Sequence, residues 1–242
     1  MIIRKSITET FDIGDFGLEI YIERSKRKKT ISLQVKDNKL FIKAPGSVSK
    51  KSLDELIKRK QSWIKKRAIL NFEEQSLRNR EFIDNEKFYF RGNEYRLSLN
   101  LGRKEAVKIA GGFLLVTYID DRSIDRNAIK RLLENWYVRE SSKILKARTK
   151  ELARQMKVQP SGITVKNYNS KWGSCTAKNK ISYNWRIVMA PDCIIDYLII
   201  HELSHIIELN HSKNFWQHVG NYCDDFQIKR KWLRQNGHRF VL

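Results

Sequence analysis

The chain has 242 residues, enough to bury one large hydrophobic core or two smaller ones. With 48 Lys and Arg against 27 Asp and Glu its formal charge is +21, so its surface should attract polyanions such as nucleic acid, nucleotides or anionic lipid. Cys175, Cys193 and Cys223 have no C-x-x-C spacing and argue against a disulfide framework; the first residues lack a signal core, and the longest apolar run, CIIDYLII, is broken by Asp196. A soluble, cytoplasmic protein without a membrane partner is expected.

The N-terminal part reads as β-rich. Thr30 to Val35 (TISLQV) and Lys39 to Pro45 (KLFIKAP) are short alternating runs around a KDN turn, a hairpin signal. From Ser49, a serine cap, the period changes: Leu53, Leu56, Ile57, Trp63, Ile64 and Ile69 fall near helical spacing and predict a long, basic amphipathic helix. The runs SKRKK (Ser25 to Lys29) and KRKQSWIKKR (Lys58 to Arg67) are either a nucleic-acid face or a solvated charged surface. Two more strand-like pieces follow, KFYFRGNEYRLSL and GGFLLVTYI, with Gly and Asn turn chemistry.

A second organisation begins near Ser123. Between Asp125 and Lys157 there is no Gly or Pro, and Ile129, Leu132, Leu133, Trp136, Tyr137, Ile144, Leu145, Leu152 and Met156 trace an apolar stripe, predicting one long helix that Ser141 and Ser142 can break. After VQPSG come two strand-like runs, ITVKNY and ISYNWRIVM, joined by a loop containing SKWGSC. Pro191 then opens a nearly all-apolar, buried helix, and the segment from Ser212 reads as one or two helices ending near Gly237. The shift in patterning divides the chain into a β-rich lobe with its basic helix, residues 1–122, and a second domain, residues 123–242. No internal repeat is visible.

The buried helix carries HELSHIIELNH, which holds three of the five histidines. On a helix His201 and His205 lie one turn apart on one face, and neutral imidazoles suit zinc. Glu202 lies about 100 degrees round the helix from His201, so it flanks an ion rather than ligating it and can serve as general base. His211 is the natural third ligand. At this composition His-Glu-x-x-His with a third His at fixed spacing arises by chance in about one chain in ten thousand. His218 and His238 read as surface or packing residues. Manganese or nickel can replace zinc at such a site.

With HELSHIIELNHSKNFW and the upstream KWGSCTAKNKISYNWRIVMAP both present, the chain resembles the YgjP-like metallopeptidase family, relatives of the SprT-like zincins. The N-terminal marks RKKTISLQV, LFIKAP and WIKKR extend the resemblance over nearly the whole chain. It implies an α+β fold with a zincin-like metal-binding core: a small sheet, a backing helix, the metal helix, and a cleft walled by an edge strand. In an extended ISYNWRIVM, Asn184 and Arg186 share one face, where they can stabilise an oxyanion or bind phosphate, or simply face solvent. Trp172, Gly173, Ser174 and Cys175 form either a tight loop shaping the cleft or a packing corner, the latter preferred for Cys175. A metzincin would carry glycine at position 208, where this chain has Glu208, so the helix is expected to run to Leu209 and Asn210 to make the turn that swings His211 back.

The leading functional reading is a zinc hydrolase acting on peptides, with Trp172, Ser174, Asn184 and Arg186 as candidate substrate-binding residues. The alternative keeps the metal and Glu202 but hydrolyses a nucleoside triphosphate, for which the charge and Arg186 are suited, although no GxxxxGK loop is present. A nucleic-acid-binding protein with structural zinc is the third reading, and the intact Glu202 argues against it.

Overall fold

The computed structural model describes residues 9–12, 17–26, 29–37, 39–119 and 125–242. The expected boundary at Ser123, the basic pair Arg27 and Lys28, and the turn residue Asn38 lie outside them. The chain forms two compact units, Met1–Asn79 and Arg80–Leu242.

In the first unit β1 (Glu9–Asp12), β2 (Gly17–Ser25), β3 (Ser32–Lys36) and β4 (Lys39–Pro45) form a sheet of order β1-β2-β4-β3, followed by α1 (Lys50–Arg78). Strand alternation turns Leu40, Ile42 and Ala44 of β4 inward, where they meet Leu18, Ile20 and Val35. Ser49 starts α1 as expected, its Oγ accepting from the Ser52 amide at 3.1 Å. Leu53, Ile57, Ile64 and Ala68 form the buried stripe of α1, whereas Trp63 and Ile69 of the predicted stripe are exposed. Lys58, Arg59, Lys60, Lys65, Lys66 and Arg67 are exposed as well.

In the second unit β5 (Lys87–Phe90), β6 (Asn93–Leu101), β7 (Ala106–Ala110) and β8 (Phe113–Tyr118) form a sheet of order β5-β6-β8-β7, followed by α2 (Arg126–Gln155). This is the topology of the first sheet repeated. In each sheet the second and fourth strands pair in parallel, flanked by antiparallel neighbours, and a helix of 29 or 30 residues follows. The repeat escapes the sequence because it is one of strand order, which different apolar residues satisfy equally.

The remainder of the second unit comprises β9 (Gly162–Lys166), β10 (Gly173–Cys175) and β11 (Lys180–Asn184) in the order β10-β11-β9, then a 3-10 turn (Trp185–Met189), α3 (Asp192–Ser204), α4 (Lys213–Tyr222) and α5 (Phe226–Asn236). The architecture is α+β. Asp125 caps α2 by accepting from the Asn127 amide at 2.9 Å. The helix does not break at Ser141, whose hydroxyl donates to the Val138 carbonyl at 2.9 Å and so is satisfied within the helix.

The compact units therefore divide between Asn79 and Arg80, not near Ser123. The physical reason is α2: Ile129, Leu133 and Tyr137 share one core with Phe88, Leu97, Leu114 and Val116 of the second sheet and with Ile195 and Leu198 of α3. Strands β5–β8 are part of the wall against which the histidine-bearing helix is built. No helix among the described residues is long and apolar enough to cross a membrane.

The β5–β6 turn fixes where α3 begins. Arg91 and Gly92 both take positive φ, 51° and 79°, the geometry of a tight hairpin turn. Their amides donate to the Val188 and Met189 carbonyls at 2.7 and 3.2 Å, and the Arg91 guanidinium grips Asp192 at 2.8 and 2.7 Å. A Cβ on Gly92 would lie 2.9 Å from the Pro191 Cα. Gly92→Ala should therefore destabilise the second unit by about 1–3 kcal/mol, combining a left-handed backbone penalty with a clash against backbone. Gly220→Ala, whose added carbon meets only ordinary contacts, should be neutral or stabilising, and denaturant unfolding of the two variants would separate them.

Candidate metal centre

Helix α3 is apolar on almost every face, and Ile194, Ile195, Leu198, Ile199, Ile200 and Leu203 are buried. It ends at Ser204, whose hydroxyl donates to the Ile200 carbonyl at 2.8 Å, and His205 is its C-cap. The helix thus stops short of the expected Leu209, and Asn210 does not adopt the left-handed turn. The chain turns back through local bonds instead: the Ile207 and Glu208 amides reach the Ser204 carbonyl, and the Ser212 amide reaches the Asn210 carbonyl. Ser212 then caps α4 through the Phe215 amide.

This turn delivers His211 to the other two histidines. One ring nitrogen from each of His201, His205 and His211 lies within 4.8 Å of the others, and the Nε2 atoms of His201 and His211 are 3.1 Å apart. Ligands about 2.0–2.1 Å from a tetrahedral zinc stand about 3.3 Å from one another, which the His201–His211 pair approaches. His205 Nδ1 lies 3.1 Å from the Glu208 carbonyl, a bond in which the ring donates and keeps Nε2 free to ligate. Beneath the cluster Phe215 is fully buried, with its ring centroid 4.4–4.9 Å from all three imidazoles. Trp216 stacks on His211 at 5.6 Å.

Burial sets the electrostatics. It pushes His201 down to about 3, with His205 and His211 adding to the effect, and lowers His205 against the opposing pull of the Glu208 carbonyl. Both rings are therefore neutral near pH 7, the form that ligates a cation. Burial raises Glu202 to about 8, with Lys171 opposing. Glu202 Oε2 and His201 Nδ1 are buried without a hydrogen-bond partner among the described residues. Three converging ring nitrogens beside an unsatisfied carboxylate make a donor set for a divalent metal.

Glu202 is also held by backbone. Strand β10 is an edge of its sheet, and a Cβ on Gly173 would lie 2.5 Å from Glu202 Oε1. Only glycine lets the strand lean on the carboxylate at this distance. A cavity of about 360 Å³ opens here, lined by His201, Glu202, Trp172, Gly173, Arg230 and Arg234 among others.

Of the four expected substrate-binding residues, Trp172 alone lines this cavity. Asn184 is buried, its amide donating to the Tyr168 and Lys171 carbonyls while its Oδ1 accepts from the Arg186 amide. It ends β11 and caps the following 3-10 turn, so the run ISYNWRIVM is a strand only as far as Asn184 and the predicted shared face with Arg186 is lost. Arg186 bonds Asn167 and lies over the Trp185 ring at 4.2 Å. Ser174 pairs with the Tyr168 hydroxyl at 3.1 Å. His218 and His238 stand outside the histidine cluster. Sequence reasoning missed Phe215, Arg230 and Arg234; the i, i+4 spacing of the two arginines on α5 was the available signal.

Comparison with curated proteins finds no match. Among solved structures the chain is similar to the crystal structure of the metallopeptidase zymogen of Methanocaldococcus jannaschii jannalysin, with 26% identity over 36% of this chain and 94% of that chain, at a TM-score of 0.32. The family model for the YgjP-like metallopeptidase domain matches residues 29–236. That match covers the three histidines and Glu202, and the chain belongs to the YgjP-like metallopeptidase family.

Proposed function

We propose that the protein is a zinc-dependent peptidase with a zincin-like core, in which His201, His205 and His211 hold the metal and Glu202 is the catalytic base. The observation that carries this reading is the convergence of three ring nitrogens within 4.8 Å beside a buried, unpartnered carboxylate. Zinc bound there would polarise a substrate carbonyl and acidify water enough to attack near neutral pH. The free edge of β10 can pair with an extended peptide backbone, in the manner of an added strand. Glu202 accepts the proton of the attacking water at its carboxylate and returns it to the departing amine. Burial gives that carboxyl a high proton affinity, and a neighbouring positive charge favours its ionised form. Trp172 and Gly173 shape the wall on which the substrate rests.

A second reading, hydrolysis of a nucleoside triphosphate at the same centre, is favoured by one observation, the position of Arg230 and Arg234 on the cavity wall. A parallel screen of unfolded proteins and nucleoside triphosphates, with Glu202→Gln as the blank, separates the two.

The purified protein should carry about one zinc per chain, and His205→Ala should lose it. Metal analysis of the two proteins checks this, and a fully loaded His205→Ala protein contradicts the ligand set. Glu202→Gln should keep zinc and fold while turnover falls about a hundredfold or more, as loss of a general base costs. Near-full hydrolysis by a zinc-loaded Glu202→Gln protein would show the carboxylate to be structural. Gly173→Ala should displace the Glu202 carboxylate and lower kcat by about tenfold to a hundredfold with zinc retained.

A further inference from the structure

Two arginines on the cavity wall have a different status from the other arginines near α3. Arg91 is paired with Asp192, and Arg148 with Asp196 and Glu151, each at 2.7–2.8 Å. These are internal braces. Arg230 and Arg234 are exposed, and neither makes an ion pair with a carboxylate among the described residues. The acid one turn before Arg230 on the α5 side, Asp225, is engaged by Lys229 at 2.7 Å.

Their placement is not that of ordinary surface charge. Both line the cavity that His201 and Glu202 also line. The Arg230 guanidinium is seated over the Trp216 ring at 4.6 Å, and Trp216 in turn stacks on Phe226 and on His211. A guanidinium fixed on an aromatic face loses little further freedom when it binds an anion. Arg230 and Arg234 also face a neighbouring cavity with Lys213 and Lys231, which adds positive potential on the same side. Tyr197, Leu198, Leu233 and Trp172 give the cavity of His201 and Glu202 a largely apolar lining.

We infer that Arg230 and Arg234 form an anion subsite of the metal cleft, which selects peptides carrying an acidic side chain beside the scissile bond. The inference rests on the peptidase reading and deepens it. A cavity that combines an apolar lining with two cationic forks suits a short methylene stem ending in a carboxylate, with the guanidiniums as donors. A nucleotide phosphate would supply the anion too. It fits less well because, among the described residues, Glu202 is the only acid lining the cavity to help hold a phosphate-bound cation, and the edge of β10 offers backbone pairing that a nucleotide cannot use.

The test uses the zinc-loaded full chain and peptides identical except for Glu, Gln or Lys on either side of the scissile bond, each with its C-terminus free or amidated. The Glu peptide should exceed the Gln peptide in kcat/KM by about tenfold or more, with the Lys peptide slowest. The double variant Arg230→Glu, Arg234→Glu should reverse the order of Glu and Lys. Binding of labelled Glu and Gln peptides to the Glu202→Gln protein gives a readout free of turnover, and the Glu preference should shrink as salt is raised. Equal cleavage of the Glu and Gln peptides by a protein that cuts both, or a Glu preference that survives in the double variant, overturns this inference alone. A preference that disappears on amidation puts the recognised carboxylate at the chain end and overturns the side-chain assignment. Cleavage and binding of none of the peptides, or hydrolysis confined to nucleoside triphosphates, defeats the peptidase reading and this inference with it.

Discussion

Three imidazoles can share one cation only while all of them are neutral, and the burial of α3 is what enforces this on His201. At any ordinary pH a proton does not compete with a metal for a ring whose pKa is held at about 3. That burial is a property of the whole second unit: the apolar faces of α3 meet α2 and the second sheet, and the β5–β6 turn pins its first residues through Arg91, Gly92 and Asp192. Phe215 closes the site from below and gives the three rings an apolar floor, while His211 remains exposed. The same desolvation that favours neutral imidazoles raises Glu202, because one low-dielectric environment acts on bases and acids in opposite directions.

Helix α2 connects the sheets of this unit. One stripe of residues along its thirty positions meets β7 and β8 towards its start, and Thr149 further on donates to the Tyr183 hydroxyl of β11 at 3.1 Å. Strands β9, β10 and β11 thereby inherit the rigidity of the larger core although β10 has only three residues. The short strand matters because its backbone, not its side chain, leans on Glu202 at Gly173. The first unit repeats the four-strand and helix arrangement with its own core and, among its described residues, without such a histidine cluster.

The candidate site was legible in the sequence where it depended on local spacing. His201, Glu202 and His205 lie on one helix, and a period of 3.6 residues is enough to place them together. His211 was legible by count and composition, but the route by which it returns was not. The second sheet was readable as strand-like pieces, yet its membership in the unit that holds the three histidines was not, because α2 contacts link residues far apart in the chain and leave no local mark. Asn184 and Arg186 were misjudged for a related reason. Period-two reasoning assumes that the strand continues, whereas Asn184 ends it by capping the 3-10 turn with its own side chain. Arg230 and Arg234 could have been flagged only as an i, i+4 pair, with nothing in the sequence to say what they face.

The residue at position 208 shows how a pattern can change while its geometry survives. A glycine there would serve a chain that must take left-handed backbone to bring the third histidine back. Here Glu208 has no positive φ, because α3 has already stopped at Ser204 and three successive amides close the turn in right-handed geometry. Position 208 contributes its carbonyl, which accepts from His205 Nδ1 and fixes that ring's tautomer. A carbonyl is common to every residue type, so the constraint on side chain is relaxed, and the glutamate is left to accept weakly from the Asn210 amide at 3.4 Å. The earlier helix end and the loss of glycine are therefore one structural choice: once the turn begins at Ser204, backbone hydrogen bonds carry the chain to His211 and no special conformation is required.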